Sequence, residues 1–222
     1  MKALVFRASG DFARFRCPYT TTSALTYTVM HPIAIKGLIG AIMGIDYENL
    51  YEYTKEMKIA IEVLKPIKKD TQSFNLIPQT GGNDSPTFPS RIEFLRDVWY
   101  RIYVMDSNEK LNEIKRVLLN RNYTFTPYLG ASEHIAKLQF EGIEEATKVS
   151  EEIGVVNCVV PKEEIILEKN QDIQLCLDRI PIRNEINREY IKYEKVVFVP
   201  GGRMIVKLSN VLKVGESNVY FF

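Results

Sequence analysis

The stretch FARFRCPYTTTSALTYTVMHPIAIKGLIGAIMG, residues 12–44, is the most informative part of the chain and joins two unlike parts. The first part is rich in arginine, aromatic and hydroxyl side chains. The second part begins at Pro32, which suits a first helical turn because its missing N–H would be unpaired there anyway. The apolar spacing then predicts a helix over Ile33–Ile45, with a buried side made of Ile35, Leu38, Ile39, Ile42 and Met43. Three glycines lower helix propensity and indicate close packing: Gly37, Gly40 and Gly44.

Charge is unevenly distributed along the chain. The formal net charge of the 222 residues is only +1, which excludes a polycation that coats nucleic acid or membrane without specificity. Residues 1–45 nevertheless carry one acid, Asp11, against the bases Lys2, Arg7, Arg14, Arg16 and Lys36. The acids are concentrated between Glu141 and Asp178. This segregation predicts a local site for a polyanion near the start of the chain.

Cysteine usage and hydropathy indicate the cellular compartment in which the protein is expected to work. Cys17, Cys158 and Cys176 form no CxxC pair and leave an odd thiol, which favours a reducing compartment and argues against a structural zinc site. No basic-apolar leader precedes the first strand, and no apolar run approaches the length of a membrane span. We expect a cytoplasmic protein that uses no membrane, metal or cofactor.

The order of predicted elements over residues 1–145 is β-α-β-β-α-β. After the strand Lys2–Ala8 and the helix Ile33–Ile45, a short helix is predicted over Asn49–Glu56. The further elements are the strands Met57–Leu64 and Val98–Met105, a helix capped by Asn108, and the strand Ile135–Phe140. This order is typical of an α+β fold of ferredoxin-like type.

Two segments fall outside that core. Residues 66–97, between the second and third strands, are too long for a tight turn and predict a protruding β-hairpin, or thumb, with its tip near Gly81–Asp84. Residues 146–222 predict a smaller, mostly β C-terminal subdomain. Its acidic start is expected to be helix or loop, followed by candidate strands at Ile165–Leu167, Lys195–Val199, Met204–Leu208 and Val219–Phe222.

Three clusters combine arginine with aromatic residues, the pattern of proteins that hold phosphates and stack on unpaired bases. The first contains Arg14, Arg16, Tyr19, Tyr27 and Lys36, beside the predicted helix start whose free N–H groups attract anions. The second, at the base of the thumb, contains Arg91, Arg96 and Arg101 with Phe88, Phe94, Trp99 and Tyr100. The third contains Arg179, Arg183, Arg188 and Arg203 with Tyr190 and Tyr193. The alternative for each cluster is a solvated basic surface over a packed core.

Catalytic patterns are sparse. The two histidines, His31 and His134, have no metal-ligand spacing, and no HExxH, GxSxG or GxxxxGK[ST] motif occurs. A His134–Lys137 or His31–Tyr27 pair could support metal-independent RNA cleavage by activating a 2′-hydroxyl. The other interpretation is a pair of ordinary polar histidines, and the sequence predicts no catalytic residue.

Five motifs carry a family resemblance: TYTVMHP, IKGLIGAIMG, TPYLGASEH, IPIRNEINREY and PGGRMI. Together they resemble the family-five RAMP subunit of CRISPR systems, in the branch found in type I-B Cascade. The resemblance implies a ferredoxin-like (RRM-like) domain with a thumb, which caps the repeat-derived 5′ tag of CRISPR RNA. It also implies contacts with the large subunit and the backbone subunit, and with target DNA through the complex.

The family also contains a nuclease branch, in type I-C systems, with a catalytic Tyr/Lys/His set. Here His134 follows Glu133 rather than a lysine, so that set is not matched. The leading hypothesis is therefore a non-catalytic RNA-binding subunit. The alternatives are an endonuclease that processes precursor CRISPR RNA and a protein-only assembly module whose arginines meet acidic partners.

Overall fold

The computed structural model describes residues 1–20, 23–77, 87–166, 174–207 and 209–222. These residues form a mostly β protein with three α-helices, α1 (Pro32–Met43), α2 (Leu50–Thr54) and α3 (Asn108–Asn120). The strands are β1 (Lys2–Ala13), β2 (Ser23–Ala24), β3 (Lys58–Val63), β4 (Lys68–Leu76), β5 (Phe88–Met105), β6 (Lys137–Lys148), β7 (Ile153–Val156), β8 (Val160–Pro161), β9 (Cys176–Asn184), β10 (Tyr190–Phe198), β11 (Met204–Lys207), β12 (Val211–Val214) and β13 (Ser217–Tyr220), and a 3-10 turn spans Lys162–Glu164.

The main sheet is organised around the long strand β5. Its path runs β13-β12-β6-β1-β5-β2, and both β3 and β4 also pair with β5. The second half of β5 lies between β1 and β3, whereas its first half pairs with β4. The neighbours β6, β1, β5 and β3 are all antiparallel. One continuous strand therefore belongs to both the central sheet and the projecting hairpin.

Alternation along β1 and β5 divides the sheet into two unlike faces. The register pairs Leu4 with Val104 and Phe6 with Ile102, all fully buried, on the face covered by α1 and α3. The next register pair, Arg7 with Arg101, lies on the opposite face. The helices thus cover one side of the sheet, and the other side carries charged residues.

Several helices and strands begin or end at other residues than predicted, because hydrogen bonding rather than hydropathy sets their ends. The first strand continues beyond Ala8 to Ala13, since its pairing with β5 continues to Leu95. The cap of α3 is Ser107 rather than Asn108, because the Ser107 hydroxyl accepts the Lys110 N–H at 3.4 Å. Likewise, β6 begins later and runs farther than the predicted strand Ile135–Phe140.

A hairpin does lie within residues 66–97. Strands β4 and β5 pair from Lys68 opposite Arg96 to Leu76 opposite Phe88, and nearly all of β4 is exposed. The predicted tip near Gly81–Asp84 lies outside the described residues. Exposed apolar side chains near the outer end of the ribbon include Phe74, Ile77 and Phe88. The ribbon therefore projects from the sheet with an apolar component on its surface.

The C-terminal strands are divided between small sheets and the main sheet. Strands β8, β10 and β9 form one small sheet and β11 with β7 another, whereas β12 and β13 extend the main sheet from β6. The segment predicted as acidic helix or loop instead contains the end of β6 and the strand β7. The predicted boundary after residue 145 falls inside β6.

The outer edge of β3 is also covered. The main chains of Ile59 and Phe222 exchange two hydrogen bonds, at 3.2 and 2.9 Å, and the Val159 N–H donates to the Ile61 carbonyl at 2.7 Å. C-terminal segments thus pair with the edge of the sheet that lies farthest from β6. No helix among the described residues is long and apolar enough to cross a membrane.

Candidate nucleic-acid interface

The loop after β1 turns its arginines outward by alternation. Backbone bonds join Tyr27 N–H to the Phe15 carbonyl at 2.9 Å and Cys17 N–H to the Leu25 carbonyl at 3.0 Å. Phe15, Cys17 and Tyr27 are buried, whereas Arg16 between them is exposed. The loop is therefore anchored in the core by one set of side chains and presents the other to solvent.

Helix α1 begins beside this loop. The His31 Nδ1 accepts the Ala34 N–H at 3.2 Å and so caps the helix, and Pro32 follows in the first turn. His31 is only 3% exposed, and burial lowers its pKa to about 3. The imidazole is therefore neutral at physiological pH, and because Nδ1 is the acceptor, its proton lies on Nε2.

A cleft of about 610 Å³ lies along α1, between the Phe125–Gly130 segment and the turn that joins β9 to β10. Arg14, Arg16 and Arg188 all line it, and none of its described lining residues is an acid. Three arginines from two distant parts of the chain thus meet at one surface. Such a surface attracts anions because no carboxylate among those residues offsets the positive charge.

A second, more open cleft of about 700 Å³ adjoins the first and shares Arg16, Arg188 and Tyr190 with it. Tyr19 and Tyr193 line this part, together with the acid Glu189. Burial raises the pKa of Tyr19 to about 12, so its hydroxyl remains a hydrogen-bond donor at neutral pH. We call the two connected clefts the arginine groove, with a deep part along α1 and an outer part at Tyr19.

Aromatic rings surround the deep part of the arginine groove. Tyr47, Phe125 and Tyr128 are exposed by 57%, 53% and 42% of their surface, although rings of this size are usually covered. The guanidinium carbon of Arg188 lies over the Tyr47 ring, 4.2 Å from its centroid. Exposed rings beside arginines are the combination that binds unpaired bases by stacking and phosphates by charge.

Arg14 is held between the groove and the interior. Its backbone N–H donates to the Leu129 carbonyl at 3.0 Å, and its Nε is buried without a partner among the described residues. Burial lowers the pKa of Arg14, and the neighbouring Arg16 lowers it further, whereas Glu133 raises it. Two like charges side by side favour an anionic ligand that would neutralise both.

The arginine groove unites two of the predicted clusters only in part. Arg14, Arg16 and Tyr19 of the first cluster meet Arg188, Tyr190 and Tyr193 of the third. Tyr27 is only 1% exposed, so its ring is unavailable for stacking on a base. Lys36 does not line the groove; it faces Asp106, Glu56 and Lys110, and burial lowers its pKa. Side chains at successive positions of the loop and of α1 point in different directions. Tyr27 and Lys36 therefore do not meet Arg14 and Arg16 at the groove.

The arginines of the second cluster have different surroundings. Arg91 is exposed on the thumb, opposite Ser73, and Arg96 lies 3.8 Å from the half-buried Asp70. Arg101 instead forms ion pairs with Glu62 at 3.0 Å and Glu141 at 2.6 Å, on the charged face of the sheet.

The prediction of Arg101 as an RNA ligand therefore conflicts with its contacts. Burial by itself would lower the pKa of Arg101, but the bond to Glu141 and the charge of Glu62 raise it overall. Its guanidinium is already neutralised by two carboxylates. Arg7 joins the same network through Glu141.

The remaining members of the third cluster lie elsewhere. Arg183 on β9 and Arg203 in the turn before β11 are both exposed but do not line the arginine groove. Arg179 lies over the Tyr193 ring, 5.0 Å from its centroid.

Sequence reasoning missed Tyr47, Phe125 and Tyr128, because irregular segments have no periodicity that shows which side chains are exposed. The only signal was the TPYLGASEH motif, residues 126–134, which contains Tyr128. These rings are part of the groove only because three loops meet there.

The histidine predicted as a catalytic candidate, His134, does not line the groove. It is 8% exposed and packs against Phe94 and Phe12, with ring centroids 5.4 and 6.1 Å apart. Burial lowers its pKa, and its Nε2 has no partner among the described residues. Within the part of the chain that the structure describes, no group of three His, Cys, Asp or Glu side chains is arranged to hold a metal ion.

The sequence of residues 3–194 matches the family described as CRISPR-associated protein (Cas_Cas5). The chain belongs to the Cas5 family. No curated protein matches it by sequence.

Solved structures show the same fold at low identity. A CRISPR protein from Archaeoglobus fulgidus is similar over 99% of this chain and 98% of its own, with 10% identity and a TM-score of 0.59. A chain of a CRISPR RNA-guided surveillance complex is similar over 98% of this chain and 90% of its own, with 13% identity and a TM-score of 0.53. A chain of a type III-B Cmr-beta complex bound to cognate target RNA is similar over 94% of this chain and 86% of its own, with 13% identity and a TM-score of 0.50.

Proposed function

We propose that this Cas5-family chain is a non-catalytic RNA-binding subunit of a CRISPR effector complex, and that its arginine groove holds the repeat-derived 5′ tag of CRISPR RNA. One observation carries the proposal. Arg14, Arg16 and Arg188 converge with exposed aromatic rings on one groove, and no acid lines the deep part among its described residues. A single-stranded nucleic acid uses both chemistries, because its phosphates need cations and its unpaired bases need flat apolar surfaces. The family favours RNA as that strand.

The family and the fold support an assembly of a particular kind. We propose a Cascade of type I-B, in which the chain contacts the large subunit and a backbone subunit and meets target DNA through the complex. The antiparallel order β6-β1-β5-β3, with α1 and α3 on one face, supports a ferredoxin-like (RRM-like) RAMP core. The thumb and residues 146–222 would be additions to that core, and the complex would act in the cytoplasm.

The surroundings of both histidines support binding rather than cleavage. A general base needs a pKa near the working pH and a free nitrogen. His31 has a pKa of about 3, and its Nδ1 is occupied as a helix cap. His134 is packed between phenylalanine rings, and burial lowers its pKa as well.

The direct test measures binding of a fluorescent single-stranded RNA of the 5′-tag sequence over a range of salt concentrations. We expect Arg16→Ala and Arg188→Ala each to weaken binding and to reduce the salt slope by about one. Arg183→Ala and Arg203→Ala are matched controls, because both side chains are exposed outside the groove. Binding that is absent, or equally affected by all four changes, would contradict the proposal.

The same RNA, extended to a full repeat and incubated in EDTA, tests the enzyme alternative. Specific cleavage that is lost in His134→Ala would establish the endonuclease and overturn the non-catalytic assignment. Absence of RNA binding together with co-purification of protein partners would favour the protein-only assembly module.

A further inference from the structure

We infer that the deep part of the arginine groove is a pocket for one unstacked nucleotide, whose base lies against the backbone of α1 at Gly37. The inference rests on the proposed function. It adds one position at which the protein binds a single base that is unstacked from the rest of the strand.

The floor is the surface of α1 that carries Ala34, Gly37 and Ala41, all of which line the cleft. A Cβ atom added to Gly37 would meet nothing within 4 Å, whereas one added to Gly40 would lie 2.3 Å from Leu50 Cδ1. Gly40 is therefore explained by packing between α1 and α2, but Gly37 is not. A glycine inside a helix is unfavourable, so an open glycine facing a cleft indicates that a flat group approaches the backbone there.

The walls match the chemistry of a nucleotide. Tyr47, Phe125 and Tyr128 expose ring surface at the cleft, and Arg188 stacks on Tyr47. The volume of about 610 Å³ lies within the range of roughly 300–1,000 Å³ typical of pockets for single small ligands. The absence of acids among the described lining residues favours an anionic occupant over a neutral or cationic one.

One buried hydrogen-bond donor in the pocket has no partner among the described residues. The Nε of Arg14, a residue that lines the cleft, is buried and unpaired. His31 also lines the cleft, and its proton lies on Nε2 because Nδ1 accepts from Ala34. Buried donors are normally satisfied, so the Arg14 Nε fits a ligand that offers acceptors, such as a phosphate oxygen or a base carbonyl.

The outer part of the groove gives the rest of the strand a path. Arg16, Arg188 and Tyr190 border both parts, so a strand that places one base in the deep part continues past Tyr19 and Tyr193. The competing occupant is an apolar side chain of a neighbouring protein subunit. Such a side chain would explain the exposed aromatic rings. It would not explain why three arginines line the cleft while none of the described lining residues is an acid.

The test compares Gly37→Leu, which fills the floor, with Gly37→Ala, which adds one methyl group into open space. The probes are the 5′-tag RNA and a set of the same RNAs, each with one abasic position. For the wild-type protein we expect one abasic position to weaken binding roughly tenfold, the loss of one stacked base. Gly37→Leu should weaken binding of the intact RNA by a similar factor and show no further loss at that position, whereas Gly37→Ala should stay within about twofold of wild type.

The outcomes separate this inference from the proposed function. The pocket is overturned, and the groove is retained as an RNA site, if RNA binding depends on Arg16 but is unchanged in Gly37→Leu. The same conclusion follows if the losses of affinity caused by Gly37→Leu and by the abasic position add up. Absence of Arg16-dependent RNA binding overturns both. Thermal unfolding monitors the fold of each variant, and Ala41→Leu serves as a second way to fill the cleft if Gly37→Leu does not fold. Loss of co-purified protein subunits from Gly37→Leu with normal RNA binding would instead assign the pocket to a protein side chain.

Discussion

Gly130 packs so closely on the main chain of Arg14 that a Cβ atom added to it would lie 2.0 Å from the Arg14 carbonyl oxygen. The backbone of Gly130 is in the left-handed region, with a φ of 87°. The adjacent Leu129 carbonyl accepts the Arg14 N–H at 3.0 Å. The turn before β6 is therefore fixed to the strand end that carries an arginine of the groove.

This contact predicts that Gly130→Ala destabilises the protein by about 2–4 kcal/mol, because it combines a left-handed alanine with a collision against backbone. Gly215→Ala is the matched control. Its φ is also positive, at 58°, but the nearest contact of an added Cβ is an ordinary 3.6 Å. We expect a loss of about 1 kcal/mol there. Equal losses in denaturant unfolding would show that the contact with Arg14 is unimportant.

A second prediction concerns the ion pair between Arg101 and Glu62. Glu62 is 6% exposed, so Arg101→Met would leave a buried carboxylate without its partner and should cost about 3 kcal/mol or more. Adding Glu62→Gln should recover much of that loss, because a neutral amide no longer needs a cation. RNA binding by the folded double variant should equal that of wild type.

The control for this pair is Arg96→Ala. The ion pair of Arg96 with Asp70 is exposed and long, at 3.8 Å, so its loss should change stability by less than about 0.5 kcal/mol. A double variant that folds but loses RNA binding would restore Arg101 to the list of RNA contacts.

A third prediction concerns pH. The pKa of His31 is about 3 in the folded protein and near 6.5 in an unfolded chain, so the unfolded state takes up the proton first as pH falls. Stability is therefore lost progressively below about pH 6.5, and at pH 4 this group alone contributes a loss of roughly 3 kcal/mol. The check is urea unfolding of wild type and His31→Asn between pH 7 and pH 4.

Asparagine retains a cap for α1 but does not titrate, so His31→Asn should lose less stability on acidification than wild type. His134→Gln is the comparison: burial lowers the pKa of His134 too, so this variant loses the contribution of His134 to the slope but keeps that of His31. Parallel curves for wild type and His31→Asn would mean that His31 is not held neutral by burial.

A fourth prediction distinguishes charge from stacking at Arg188. Arg188→Lys keeps the charge but loses the planar guanidinium that lies over Tyr47, so RNA affinity should fall by roughly three- to tenfold with little change in salt slope. Arg179→Lys changes a similar stack, on Tyr193 at 5.0 Å, outside the groove lining. It should bind RNA as wild type does. Equal affinities for all three proteins would mean that only the charge of Arg188 matters.

Regular elements were predictable from the sequence because their signals are local. Pro32 and the apolar spacing delimit α1 to within two residues, and the aromatic and β-branched run of Val98–Met105 lies within β5. Gly44, predicted inside the helix, instead ends it in the left-handed region. The length of β5 was not predictable, because the pairing of its first half with β4 depends on which segments the fold brings together.

Prediction of the site was weaker for a related reason. Arg101 resembles any basic residue near a thumb until Glu62 and Glu141 are brought beside it from two other strands. Tyr27 is in an arginine-rich loop, but backbone pairing with Phe15 turns it into the core. Which side of a loop is exposed depends on tertiary contacts, and one sequence contains no periodic signal for them.

The pairing of Ile59 with Phe222 has a consequence for how the chain folds. An uncovered strand edge invites pairing with other chains, and β3 is protected from this by segments that are far away in sequence. Contacts of such long range form slowly because the intervening chain must first be ordered. On the ribosome, β3 and β5 can pair well before residue 222 is made, so the growing chain passes through a stage with an open seam at β3. A chaperone or an assembly partner that recognises strand edges would act during that interval.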